Sequence, residues 1–195
     1  MARLNTMYDD KDLVVTISDL LVATADSADA AIDSAVPELL SLLRQRLHMD
    51  VVFVSEFVNG QRVFRFVDSA ADAPPVHVGD AGPLEESYCQ RVVDGRLPGL
   101  IHDAAARTDL SDLPDPGFRV GAHLSTPIVL EDGNTYGTLC CFSTSPNENL
   151  RDRDLTNLKN CAQLVARKLD ATRQQTGRTA WGNALTPPGD SARKA

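Results

Sequence analysis

The chain is poor in the features that mark several large protein classes. Its cysteines are Cys89, Cys140, Cys141 and Cys161, too few for a disulfide framework in 195 residues, and none forms a Cys-x-x-Cys pair. The four histidines fall at no zinc-ligand spacing relative to them, so the thiols read as small buried apolar side chains and no metal site is expected. Positive charge is scarce. With 19 Lys and Arg against 27 Asp and Glu the net charge is −8, which argues against a nucleic-acid partner that needs a positive field over its phosphates. No apolar run approaches the roughly 18 residues of a membrane span, so no membrane partner is expected. The opening "MARLNTMYDDKD" lacks the apolar core of a secretory signal, and a cytoplasmic location is the expectation.

What is present is ordinary for a globular protein: 43% hydrophobic residues, 24% charged, and a length that suits one domain with appendages. Residues 12–22, "DLVVTISDLLV", show a helical stripe of Leu13, Ile17, Leu20 and Leu21. A stronger helix follows through Ile32, Ala35, Val36, Leu39, Leu40, Leu43 and Leu47, with Asp26 or Ser27 as its cap and a kink or restart expected at Pro37. "DVVFVSEFV" and "QRVFRFVDS" then flank Asn59-Gly60, the strongest short hairpin signal, because both turn residues accept positive φ. Residues 69–83 and 103–117 carry loop chemistry, and "ESYCQRVVDGRLPGLIHDA" (85–103) between them reads as a short helix, a break at Asp94-Gly95 and a short strand. A second hairpin spans 120–143 around Asp132-Gly133, with Pro127 marking an edge or an interruption. A helix over 154–172 carries Leu155, Leu158, Ala162, Val165 and Leu169 on one side, and the polar segment 176–195 reads as a disordered tail. The order predicts an α+β fold, an antiparallel sheet with the terminal helices on one face and a cavity under the central loops on the other.

Three stretches carry a resemblance to the GAF domain family. "DVVFVSEFVNGQRVFRFV" is similar to the family's first hairpin, and "LEESYCQRVVDGRLPGLIHDA" to the mid-domain helix and strand of a subgroup found beside bacterial signalling modules. "GAHLSTPIVLEDGNTYGTLCCFSTSP" resembles the closing hairpin. The resemblance implies a division into an N-terminal helical extension (1–26), a GAF domain (27–175) and a C-terminal tail (176–195). It departs from the family pattern at Ser125-Thr126-Pro127, where Gly-Val-Pro is usual, and at His123, where an aromatic or aliphatic residue is common.

The resemblance implies a sensory domain that binds a small molecule, non-catalytic, signalling through a protein partner or through a homodimer of the terminal helices. The ligand and any cofactor stay unknown. Strand alternation places Phe53, Ser55 and Phe57 on one face of the first strand, and Phe64 and Phe66 on one face of the second. The candidate ligand-binding residues are Phe53, Ser55, Phe64, Phe66, Tyr88, Cys89, His102, Asp103, His123 and Ser125. Plain core packing competes for the phenylalanines, a structural role for the histidines, and a helix cap for Asp103. Two alternatives remain open. One GAF subgroup reduces free methionine sulfoxide with loop cysteines, for which Cys89 would be the nucleophile, although Glu85 and Glu86 oppose thiolate formation there. Others hold a haem or bilin, but no Cys-His pair for bilin attachment exists, and His123 would be the best-placed axial ligand.

Overall fold

The computed structural model describes residues 30–184; the expected helix at 12–22 and the caps Asp26 and Ser27 lie outside the described residues. Helix α1 (Ala30–Leu47) is amphipathic, and Val36, Leu39, Leu40, Leu43 and Leu47 are buried as their spacing predicts. Pro37 interrupts nothing: the helix runs through it as one element. Its ring removes one backbone hydrogen bond near the helix start, where neighbouring turns carry the element.

Strands β1 (Val51–Val58) and β2 (Gln61–Ser69) form the first hairpin. Asn59 and Gly60 both adopt positive φ, 52° and 73°, as a tight turn between right-twisted strands requires. A short β3 (Ala81–Pro83), inside the segment read as loop, adds to the edge of β2. A 3₁₀ turn (Leu84–Glu86) leads into helix α2 (Tyr88–Val93), which is capped by Ser87: its hydroxyl accepts from the Gln90 amide at 3.1 Å. Gly95, at φ 72°, follows as the expected break. Strand β4 is only Leu100–Ile101, and two further 3₁₀ turns precede β5 (His123–Val129) and β6 (Thr135–Phe142). Helix α3 (Asp152–Ala184) closes the chain, passing the expected end at 172 and entering the segment that composition assigns to a tail.

The six strands form one antiparallel sheet in the order β3-β2-β1-β6-β5-β4. Pro127 sits where its missing N–H costs nothing: β4 pairs β5 only at His123 and Leu124, so the outer edge of β5 is uncovered at Pro127. The sheet separates two apolar layers. On one face α1 and α3 pack on Val52, Val54, Leu124, Ile128, Leu139 and Cys141. On the other, Val51, Phe53, Phe64, Cys89, Cys140 and Phe142 form a second cluster under α2 and the central loops.

The pairing of β1 and β2 corrects one expectation. Val54 opposes Phe66 but Ser55 opposes Phe64, so Arg65 is an extra residue in β2, a β-bulge. The bulge reverses the alternation between the two phenylalanines. Phe64 joins the loop-side cluster, whereas Phe66 packs against the helix-side core.

Candidate functional site

The loop-covered face encloses a cavity of about 260 Å³. Strands supply its floor through Phe53, Phe64, His123 and Phe142; α2 supplies Tyr88 and Cys89; the loop before β5 closes it with Phe118 and Val120. The rings are mutually ordered. Phe53 meets Phe64 edge-on with centroids 4.7 Å apart, and Phe118 stacks on Phe142 at 5.4 Å. An ion pair fastens the roof: Arg91 on α2 donates to both Asp112 carboxylate oxygens at 2.9 and 2.7 Å. This bond holds the Asp112 carboxyl below its usual range.

Three ionisable groups besides Tyr88 and Cys89 line this cavity: His123, Arg62 and Asp80, whose carboxylate accepts from the His77 amide at 2.8 Å. The His123 ring lies 5.2 Å from that of Tyr88, and its Nδ1 has no hydrogen-bond partner. Burial alone pushes its pKa down to about 4, so the imidazole is neutral at neutral pH. Arg62 lies over the Phe64 ring with Cζ 4.3 Å from the centroid. Among the described residues it has no carboxylate within ion-pair distance, and its Nε is buried without a partner. Arg62 was not anticipated, although alternation from Phe64 places it on the same face. Phe142 was legible in the same way from Cys140, whereas Phe118 and Val120 reach the cavity through loop geometry that no local pattern encodes.

Beneath the cavity runs a buried chain of small polar groups. Cys89 Sγ lies 3.5 Å from Cys140 Sγ; Cys140 donates to Thr138 Oγ1 at 3.1 Å and lies 2.9 Å from Ser125 Oγ; Ser55 Oγ is 2.8 Å from Thr138 Oγ1. The contact with Cys140 pulls the Cys89 thiol pKa down, against desolvation and with help from Arg62. Cys140 is pushed well up by burial. Any negative charge the pair carries therefore sits on Cys89. All four cysteines are buried free thiols, as their sparse spacing suggested.

The structure brings together Phe53, Phe64, Tyr88, Cys89 and His123 at this cavity. Ser55 and Ser125 lie in the layer behind it, committed to Thr138 and Cys140. His102 and Asp103 are elsewhere. His102 Nε2 donates to the Leu150 carbonyl at 3.1 Å, and Asp103 accepts two bonds from Arg119 at 2.9 and 3.0 Å. Asp103 occupies the cap position of the turn after it without a capping side-chain bond. β4 ends at Ile101, and both residues stand in the segment after it, tied to Leu150 and Arg119. A larger hollow of about 440 Å³ lies at the uncovered edge of β5, against Leu155, Lys159 and Gln163 of α3. It lacks the aromatic floor and the buried polar pair.

An antiparallel sheet with helices on one face and a roofed aromatic cavity on the other defines the α+β class of the domain. The GAF domain model matches residues 29–170, and the chain belongs to the GAF domain family. No curated protein matches the chain. Among solved structures it is similar to the free methionine-R-sulfoxide reductase of Neisseria meningitidis, crystallised with its substrate: TM-score 0.65, 16% identity, covering 90% of this chain and 99% of that one. It is similar to the chromophore-binding domain of a bacteriophytochrome from R. palustris, with TM-score 0.66, 15% identity and coverage of 85% and 62%. The GAF domain of an Acinetobacter phosphoenolpyruvate-protein phosphotransferase gives TM-score 0.64, 13% identity and coverage of 91% and 99%. At these identities the likeness is one of fold. No helix among the described residues is long and apolar enough to cross a membrane.

Proposed function

We propose that this protein is a non-catalytic sensory domain whose roofed cavity binds a small planar acid, a one- or two-ring aromatic carboxylate or a molecule of that shape and charge. The observation that carries this reading is the coexistence, in one aromatic-lined cavity, of Arg62 without an ion-pair partner and a neutral His123 whose Nδ1 is unpartnered, while Asp80, the carboxylate in the same lining, accepts from the His77 amide. Buried polar groups are normally satisfied, so a ligand that accepts from Arg62 and bonds the imidazole removes a standing cost. The size fits a ligand smaller than drug-like ones, whose pockets run from about 300 to 1,000 Å³. A tetrapyrrole does not fit 260 Å³.

Binding would be transmitted to a protein partner, or across a homodimer, through the terminal helices on the opposite face. That requires the ligand to favour one of two arrangements of the sheet and helices. The test is calorimetric titration of the full chain with benzoate and indole-3-acetate, each beside its uncharged amide. The acids should bind more tightly than the amides. Arg62→Ala should weaken the acids by about 10- to 100-fold, the worth of one charge-assisted bond, and leave the amides nearly unchanged. Equal binding of acid and amide rejects the reading. Catalytic reduction of methionine sulfoxide by the chain with dithiothreitol would replace it with the enzymatic alternative.

A further inference from the structure

We propose that Cys89 and Cys140 form a peroxide-sensitive dithiol, oxidised to an intramolecular disulfide by a small hydroperoxide that enters the cavity. Their sulphurs are 3.5 Å apart, contributed by α2 and β6, although the two residues lie 51 positions apart in sequence. The two thiols are not equivalent. Cys89 lines the cavity, whereas Cys140 lies behind it among Ser125 and Thr138. The thiol that a small oxidant meets first is also the one whose negative charge is favoured, by the Cys140 contact and by Arg62. Cys141, the next residue, points to the helix-side core beside Cys161, where burial pushes both thiols up and keeps them inert.

The chemistry closes without any further redox partner. The Cys89 thiolate attacks the terminal O–H oxygen of the hydroperoxide; an S–O bond forms, the O–O bond breaks, and the alkoxide leaves, taking the proton released by the Cys89 thiol to become an alcohol. Cys140 sulphur then attacks the Cys89 sulfenic sulphur. The S–S bond forms, the S–OH bond breaks, and hydroxide leaves with the Cys140 proton as water. Two thiols and one hydroperoxide give one disulfide, one alcohol and one water; the thiols lose two electrons and the O–O bond accepts them.

Closing the sulphurs from 3.5 Å to about 2.05 Å draws α2 toward β6 and rearranges the Ser125 and Thr138 contacts to Cys140. Because α2 contributes Tyr88 and Cys89 to the cavity wall, oxidation reshapes the ligand site itself.

The test is peptide mapping by mass spectrometry, without reduction, of the full chain treated with hydrogen peroxide and alkylated before and after unfolding. A Cys89–Cys140 crosslink should accumulate within one chain and disappear with dithiothreitol, while Cys141 and Cys161 alkylate only after unfolding. Cys140→Ser should stop at a Cys89 sulfenic acid captured by dimedone, and Cys89→Ser should leave Cys140 reduced. Persistence of both thiols at peroxide doses that oxidise free methionine in the same tube overturns the proposal. Crosslinks between chains, or oxidation by methionine sulfoxide but not by peroxide, overturn it as well. Should either serine variant fail to fold, the map of the unaltered chain decides alone.

Discussion

His123 shows how one side chain couples the cavity to stability. It stands on β5, only 3% exposed, in a position where the ring faces phenylalanine and tyrosine rather than water or a carboxylate. Folding therefore lowers its pKa from the usual 6.5 or so to about 4. The sign follows from proton counting. Between these two values the unfolded chain binds a proton that the folded chain does not, so stability is intact above about pH 6.5 and falls as pH drops toward 4. The full difference is about 3 kcal/mol. In urea denaturation series from pH 7.5 to 4, His123→Gln should lose less stability on acidification than the unaltered protein, by an amount approaching that value. Parallel pH curves for the two proteins would show that the ring is solvated in the folded state. A ligand that pairs with the neutral ring should extend the stable range to lower pH, which ties the residue to the proposed function.

At the scale of elements, close approach of backbones determines what the sheet tolerates. Gly137 on β6 pairs with Glu56 of β1, and a Cβ there would sit 1.9 Å from the Ser55 carbonyl oxygen and 2.7 Å from its carbon. Both are backbone atoms in the centre of the sheet and cannot swing aside. Gly137→Ala should therefore cost about 1–3 kcal/mol or more, as overpacking does. Gly82→Ala on the edge strand β3, whose nearest neighbour is the Arg62 guanidinium at 3.9 Å, should stay within about 0.5 kcal/mol. Thermal unfolding of the two variants checks both, and equal melting temperatures would contradict the argument. Elements of this kind also mark how far local pattern reached. Asn59-Gly60, the stripe of α1 and the break at Asp94-Gly95 are local chemistry, and they were legible. The bulge at Arg65 was not, because "QRVFRFV" alternates evenly and only pairing with β1 exposes the extra residue. β3 is three residues long, too short to show a period, and exists because β2 offers an edge, whereas β4 is the short strand expected after the Asp94-Gly95 break. The site inherits the same division. Phe53, Phe64, Cys89 and His123 follow from strand and helix faces, while His102 and Asp103 were drawn to the rim by sequence adjacency and belong to loop anchoring.

For the whole molecule the open question is what α3 does beyond the sheet. Its 33 residues span about 50 Å at 1.5 Å per residue, yet its apolar contacts with the core among the described residues run from Leu155 to Leu169. Asp170 accepts from the Glu131 amide at 2.9 Å and Arg173 lies 5.6 Å over the Tyr136 ring; these tie the next turn to the second hairpin. The helix then continues to Ala184. Most helix stability in proteins comes from packing of an apolar face. A second copy of the same helix, related by a two-fold axis, would supply that packing and would place the two cavities on the outer faces of a dimer. The expectation is a homodimer. Size-exclusion chromatography with light scattering at high protein concentration should give twice the chain mass, and a chain truncated after Gln174 should shift toward the monomer while retaining its cavity and its response to aromatic acids. A strict monomer at every concentration removes the dimer and leaves a protein partner as the route by which occupancy of the cavity is read.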